Sequence, residues 1–146
     1  MRSLPILLPA ALIRARACPL ASIRQVRTWR LRFVERAPAG PRPAGWSDLV
    51  EAEATPYGDG PGPVELAGDG FRALWDAPRP VAGPVRLRGE LLVDPLDGLA
   101  TTGRIHRLRL LTGTAGDLTA RDLSAIPKAV DEDAAGVLVD LELGVT

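Results

Sequence analysis

A chain of 146 residues is long enough to bury a hydrophobic core without disulfides or a structural metal. Its single cysteine, Cys18, and single histidine, His106, exclude an internal disulfide, a cysteine-based zinc cluster and most catalytic-triad arrangements. The net charge of zero hides an asymmetry: residues 1–34 carry seven arginines and no acid, and the remainder holds all 18 acids against 11 basic residues, the reverse of what a polyanion-binding domain usually shows.

Residues 1–27 are the least protein-like part. Arg2 and the apolar run from Leu4 to Ile13 imitate a signal peptide, with Ala15-Arg16-Ala17 in place of a cleavage site. The prolines and the arginines at 14 and 16 argue against export, and the run is too short to span a bilayer. The segment reads as a non-globular basic tail or a gene-start artefact, with translation beginning near Val26.

Residues 28–35 alternate as a strand, with Trp29, Leu31 and Phe33 on one face and Arg30 and Arg32 on the other. The Pro- and Gly-rich stretch 37–45 reads as an extended loop. Residues 46–55 allow a strand or a short helix, and flanking β-type segments favour the strand. Residues 64–67 and 71–76 flank Gly68-Asp69-Gly70 as a β-hairpin. Residues 84–94 give the cleanest signal: Val85, Leu87, Gly89, Leu91 and Val93 face one way, and Arg86, Arg88, Glu90, Leu92 and Asp94 the other. Asp94 to Gly98 is a turn.

Residues 103–111 form a strand whose alternation slips. A β-bulge near His106 and Arg107 returns Ile105, Leu108 and Leu110 to the core and turns Arg104, Arg107 and Arg109 outward. Residues 114–133 are polar, with room for one helical turn at 120–125. Residues 135–143 close the chain as a strand with Val137, Val139, Leu141 and Leu143 inward and Asp140 and Glu142 outward. The expectation is an all-β fold with little helix, one small antiparallel β-barrel or sandwich, OB-like or SH3-like, over residues 28–146.

The Trp29 strand, Thr-Gly-Arg-Ile-His-Arg-Leu-Arg-Leu at 102–110 and Gly-Val-Leu-Val-Asp-Leu-Glu-Leu at 136–143 resemble an uncharacterised family of small proteins from high-GC bacteria, a domain of unknown function. The resemblance implies one compact β unit. It carries no activity and no catalytic residue to transfer.

One surface suggests recruitment. Arg86 and Arg88 on one strand and Arg104, Arg107 and Arg109 on the next form an anion or nucleic-acid face if the strands pair. Neither strand holds an aromatic for base stacking, and neighbouring acids neutralise the face. Lys128 is the only lysine, and with abundant Ala, Gly and Pro the arginines match the codon bias of a GC-rich bacterial genome. His106 lacks a nucleophile or orienting partner, Thr101 and Thr102 being the nearest hydroxyls. Asp131-Glu132-Asp133 lacks the ligand spacing of a calcium loop, and Gly58-Asp-Gly60 and Gly68-Asp-Gly70 are turns rather than phosphate loops. Cys18 offers a reactive thiol only if the N-terminal segment is retained. The composite expectation is a cytoplasmic, non-enzymatic β-barrel interaction module with no cofactor, no metal site and no membrane span, whose partner is a protein. Nucleic-acid or anion binding is the alternative.

Overall fold

The computed structural model describes residues 2–18, 20–36, 46, 49–114 and 117–144. In chain order the elements are β1 (Arg2–Pro9), α1 (Ala10–Arg14), β2 (Val26–Glu35), β3 (Leu49–Pro56), β4 (Gly62–Ala67), β5 (Arg72–Ala77), β6 (Gly83–Val93), β7 (Leu99–Thr114), β8 (Asp117–Leu123) and β9 (Ala134–Leu143). The all-β expectation holds, and the chain divides into two compact units, residues 28–38 with 48–101 and residues 1–27 with 39–47 and 102–146. The reason is that β9 draws a partner from the N-terminal segment, so the last third of the chain folds with the first 27 residues.

The first unit is a small closed barrel. β3, β4 and β5 form an antiparallel meander, β3 pairs antiparallel with β6, β6 with β2, and a short parallel contact of β2 with β5 closes the ring. The hairpin at 68–70 forms as expected, with Ala67 opposite Arg72, the Gly68 N–H donating to Phe71 O at 3.0 Å and Gly70 at φ 85. The alternation becomes core: Trp29, Leu31 and Phe33 of β2, Val64 and Leu66 of β4, Trp75 of β5 and Leu87, Leu91 and Val93 of β6 are all buried. Phe33 and Trp75 meet edge to face with ring centroids 5.8 Å apart. Gly89 is inward because nothing larger fits: a Cβ there would strike the Val34 carbonyl oxygen and lie 2.7 Å from the Phe33 ring. Glu90, expected outward, is buried, its carboxylate 3.3 Å from the Arg36 guanidinium.

The second unit is an antiparallel sheet in the order β1, β9, β7, β8. The segment expected to be a non-globular tail supplies β1, with Leu4, Ile6 and Leu8 buried along its whole ladder with β9, and α1, whose Ile13 is 2% exposed. Residues 21–26 continue alongside: the Ile126 N–H donates to Ala21 O at 2.8 Å and the Ile23 N–H to Ser124 O at 3.0 Å. The helical turn allowed at 120–125 is strand β8 instead, laddered to β7 from Leu108–Leu123 to Thr114–Asp117 and linked through the Thr112 and Thr119 hydroxyls, 2.7 Å apart. Both faces of β9 are buried; on the second face Trp46 packs with Leu111 and Leu138, joined by Leu7 and Leu118. The unit holds eleven basic residues against seven acids, and the barrel unit seven against eleven.

Candidate functional site

The arginine strands follow the expected bulge. The β7–β9 register shifts between Ile105 and Arg107, setting His106 aside as the extra residue, and Ile105 and Leu108 are fully buried as a result. Within the barrel β6 takes β2 and β3 as its partners, and within the sheet β7 takes β8 and β9. Arg86 and Arg88 belong to one compact unit and Arg104, Arg107 and Arg109 to the other.

The individual arginines are largely occupied. Arg86 lies 3.3 Å from Glu51, directly opposite on β3, and both side chains are exposed. Arg88 is exposed and faces Leu49. Arg104 is exposed opposite Glu142. The Arg107 Nε donates to Asp122 at 2.7 Å, which holds the Asp122 carboxyl below its ordinary range. Arg109, expected outward, is buried and donates from one NH2 to Asp140, also expected outward and also buried. Burial raises the Asp140 carboxyl above its ordinary value against the attraction of Arg109, Arg107 and His106. This charge arrangement braces a sheet. Thr101 is likewise structural, its hydroxyl accepting from the Arg72 N–H at 2.8 Å and donating to Arg72 O at 3.0 Å. Asp131, Glu132 and Asp133 are exposed in the connection before β9, where Arg14 donates to Asp131 O at 2.7 Å. Among the described residues no three His, Cys, Asp or Glu side chains gather as a metal site, and no helix is long and apolar enough to cross a membrane.

The most organised exposed feature is the turn from Asp94 to Gly98 in the barrel unit. Its residues were readable as a turn; its bracing was not. One Asp94 carboxylate oxygen accepts the Leu96 and Asp97 N–H groups, each at 3.2 Å, and the other accepts Arg32 Nε at 2.8 Å. The Gly98 N–H donates to Asp94 O at 3.0 Å, and Arg30 Nε reaches Gly98 O at 2.8 Å. Burial pushes the Asp94 carboxyl up, but the Arg32 bond and the two backbone donors together hold it below the usual carboxylate range. At the apex Leu96 is 84% exposed. The sequence signal was there in Asp-Pro-x-Asp-Gly turn chemistry and in two arginines on the first strand; their convergence depends on β2 and β6 lying side by side.

No family model, curated protein or solved structure matches this chain. The 94–98 turn has a definite geometry.

In that geometry the apolar tip stands among acids. Arg32 draws Asp76 to 3.5 Å and Asp97 to 3.7 Å beside Asp94, and Asp76 and Asp97 remain 71% and 69% exposed. The site is an exposed leucine on a braced turn, flanked by carboxylates.

Proposed function

We propose that this protein is a non-enzymatic interaction module whose barrel unit docks a protein partner through the Asp94–Gly98 turn. The observation that carries the reading is an apolar side chain 84% exposed on a turn fixed by Arg30, Arg32 and Asp94. Fixing a contact residue before binding lowers the conformational entropy that association otherwise costs. The partner surface that complements it is an apolar pocket with a basic rim, because Asp76 and Asp97 flank the leucine.

The pairing scheme supports the same placement. Taking β3, β4, β5, β6 and β2 as strands one to five gives an OB-type order, with the fifth strand moved to the front of the chain. The 94–98 turn then takes the place of the loop after strand four, one of the two loops with which OB barrels engage their ligands. Nucleic acid is disfavoured as that ligand by the carboxylates at the turn and the acidic balance of the unit. The test is retention of a binding protein from native-host extract, with and without nuclease and across salt. Leu96→Asp should abolish a nuclease-resistant, salt-tolerant interaction, and Arg86→Ala with Arg88→Ala should leave it intact. The opposite pattern, loss with nuclease or with the two arginines, supports the anion-binding alternative instead.

A further inference from the structure

Two non-glycine residues among those described adopt positive φ, and both are arginines: Arg16 at 54° and Arg24 at 75°. Arg16 follows the C-cap of α1. Its N–H donates to Ile13 O at 3.0 Å and the Ala17 N–H to Leu12 O at 2.9 Å, the two bonds of a Schellman motif. The left-handed residue of that motif is ordinarily glycine, because a Cβ is strained there. A long cationic side chain in that position is a local conflict, and such conflicts concentrate where a side chain is needed.

The same residue lines a cavity of about 480 Å³ with Ile13, Cys18, Leu20, Pro127 and Lys128. The volume lies within the range of small-ligand sites. The lining divides by chemistry. Ile13 is buried, Pro127 is half-buried, and Leu20 is 54% exposed, an apolar wall open to solvent. Arg16 and Lys128 are both exposed, and among the described residues no acid lines the cavity and neither cation has an ion pair. Burial raises the Cys18 thiol above its ordinary value, so near neutral pH it adds no negative charge to the cavity.

We propose that this cavity binds a small amphiphile with one anionic head, a medium-chain carboxylate, its chain against Ile13, Leu20 and Pro127 and its head taken by Arg16 and Lys128. Two uncompensated cations beside an apolar wall complement that class of molecule, and a neutral or cationic ligand leaves them unused. The site lies in the sheet unit and is independent of the partner surface on the barrel.

The test uses the full chain titrated calorimetrically with decanoate, with decanol and with inorganic phosphate. Cys18, the only thiol, serves as a reporter through its alkylation rate with N-ethylmaleimide. Decanoate is expected to bind one per chain and to slow alkylation at Cys18, and decanol and phosphate to bind at least about tenfold more weakly. Lys128→Gln and Arg16→Gly should each weaken decanoate about tenfold. Arg16→Gly should at the same time raise the melting temperature, because glycine relieves the left-handed backbone, so lost affinity cannot be confused with a lost fold. The proposal is overturned by equal binding of decanol, by equal binding of phosphate, by unchanged decanoate affinity in Lys128→Gln and Arg16→Gly, or by no decanoate binding and no protection of Cys18.

Discussion

The Arg109 guanidinium donates to the Asp140 carboxylate across 3.3 Å, and only 3% and 10% of the two side chains are exposed. The pair sits on the face of β7 and β9 that alternation assigned to solvent. Removing one partner strands a buried charge, whereas removing both need not. Asp140→Leu is expected to destabilise the protein by about 3–5 kcal/mol, and Arg109→Leu added to it to recover most of that loss. Urea denaturation of the two single variants and the double variant measures the coupling directly.

Acid sensitivity has a definite sign. The Arg79 guanidinium donates to both Glu35 oxygens at 2.9 and 2.8 Å and holds that carboxyl below its ordinary range, and Asp94 is also lowered. A depressed folded value contributes stability that is present above the unfolded value and lost as the pH falls through the folded one. Glu35→Gln and Asp94→Asn should therefore flatten the loss of stability below about pH 4. Asp140, raised by burial, has the opposite sign: its contribution is fully present below its unfolded value and is lost as the pH rises through the folded one. Melting temperature against pH for wild type, Glu35→Gln, Asp94→Asn and Asp140→Asn separates these contributions.

Arg24 occupies the third position of the turn Ser22–Gln25, closed by the Gln25 N–H to Ser22 O at 3.3 Å, with φ at 75°. Its N–H donates to Ile105 O at 2.7 Å and Ile105 returns its own N–H to Gln25 O at 2.8 Å, the two bonds of a G1-type bulge. Glycine is the usual residue there. Arg24→Gly should raise stability by roughly 0.5–1 kcal/mol, read as a higher urea midpoint with an unchanged slope.

A chain beginning at Val26 lacks β1 and α1. It loses the whole ladder of β9 with β1 and uncovers Val137, Val139 and Leu141, which are fully buried. An exposed apolar strand edge is an aggregation template. The shortened chain is expected to be insoluble or to lack dispersed amide NMR signals. A well-dispersed spectrum from it would show that the first 25 residues are dispensable.

Gly89→Ala forces a Cβ into the Val34 carbonyl and the Phe33 ring. Backbone on one side and a core aromatic on the other leave little room to relax, and the expected cost is about 2–3 kcal/mol. Gly60→Ala gives a surface comparison: nothing lies within 4 Å of its Cβ position, although its φ of 75° adds backbone strain.

The strands legible in the sequence were those in which apolar residues alternate with charged ones. Trp29, Leu31 and Phe33, or Leu87, Gly89, Leu91 and Val93, announce themselves because their neighbours are charged. The bulge at His106 was legible for the same reason, as a slip in phase. β1 was not, because Leu4, Ile6 and Leu8 alternate with Pro5, Leu7 and Pro9, apolar on both sides, and the period disappears. Arg109 and Asp140 were misplaced because local alternation cannot register a second covered face. Trp46, Leu111 and Leu138 cluster on that face, and they are distant in sequence. The five arginines of the expected face divide between the two compact units, a division that local alternation does not register. The 94–98 turn was visible as a turn, but its rigidity comes from Arg30 and Arg32 on a strand more than sixty residues away.

If Leu96 contacts a protein partner, crosslinking from its position reports that contact. Placing a photo-crosslinking amino acid at position 96, and separately at Tyr57, which is also exposed (57%), tests it most directly. A discrete, nuclease-resistant protein adduct is expected from position 96 and none from position 57. Adducts at position 57 alone, or adducts at 96 that nuclease removes, would contradict it.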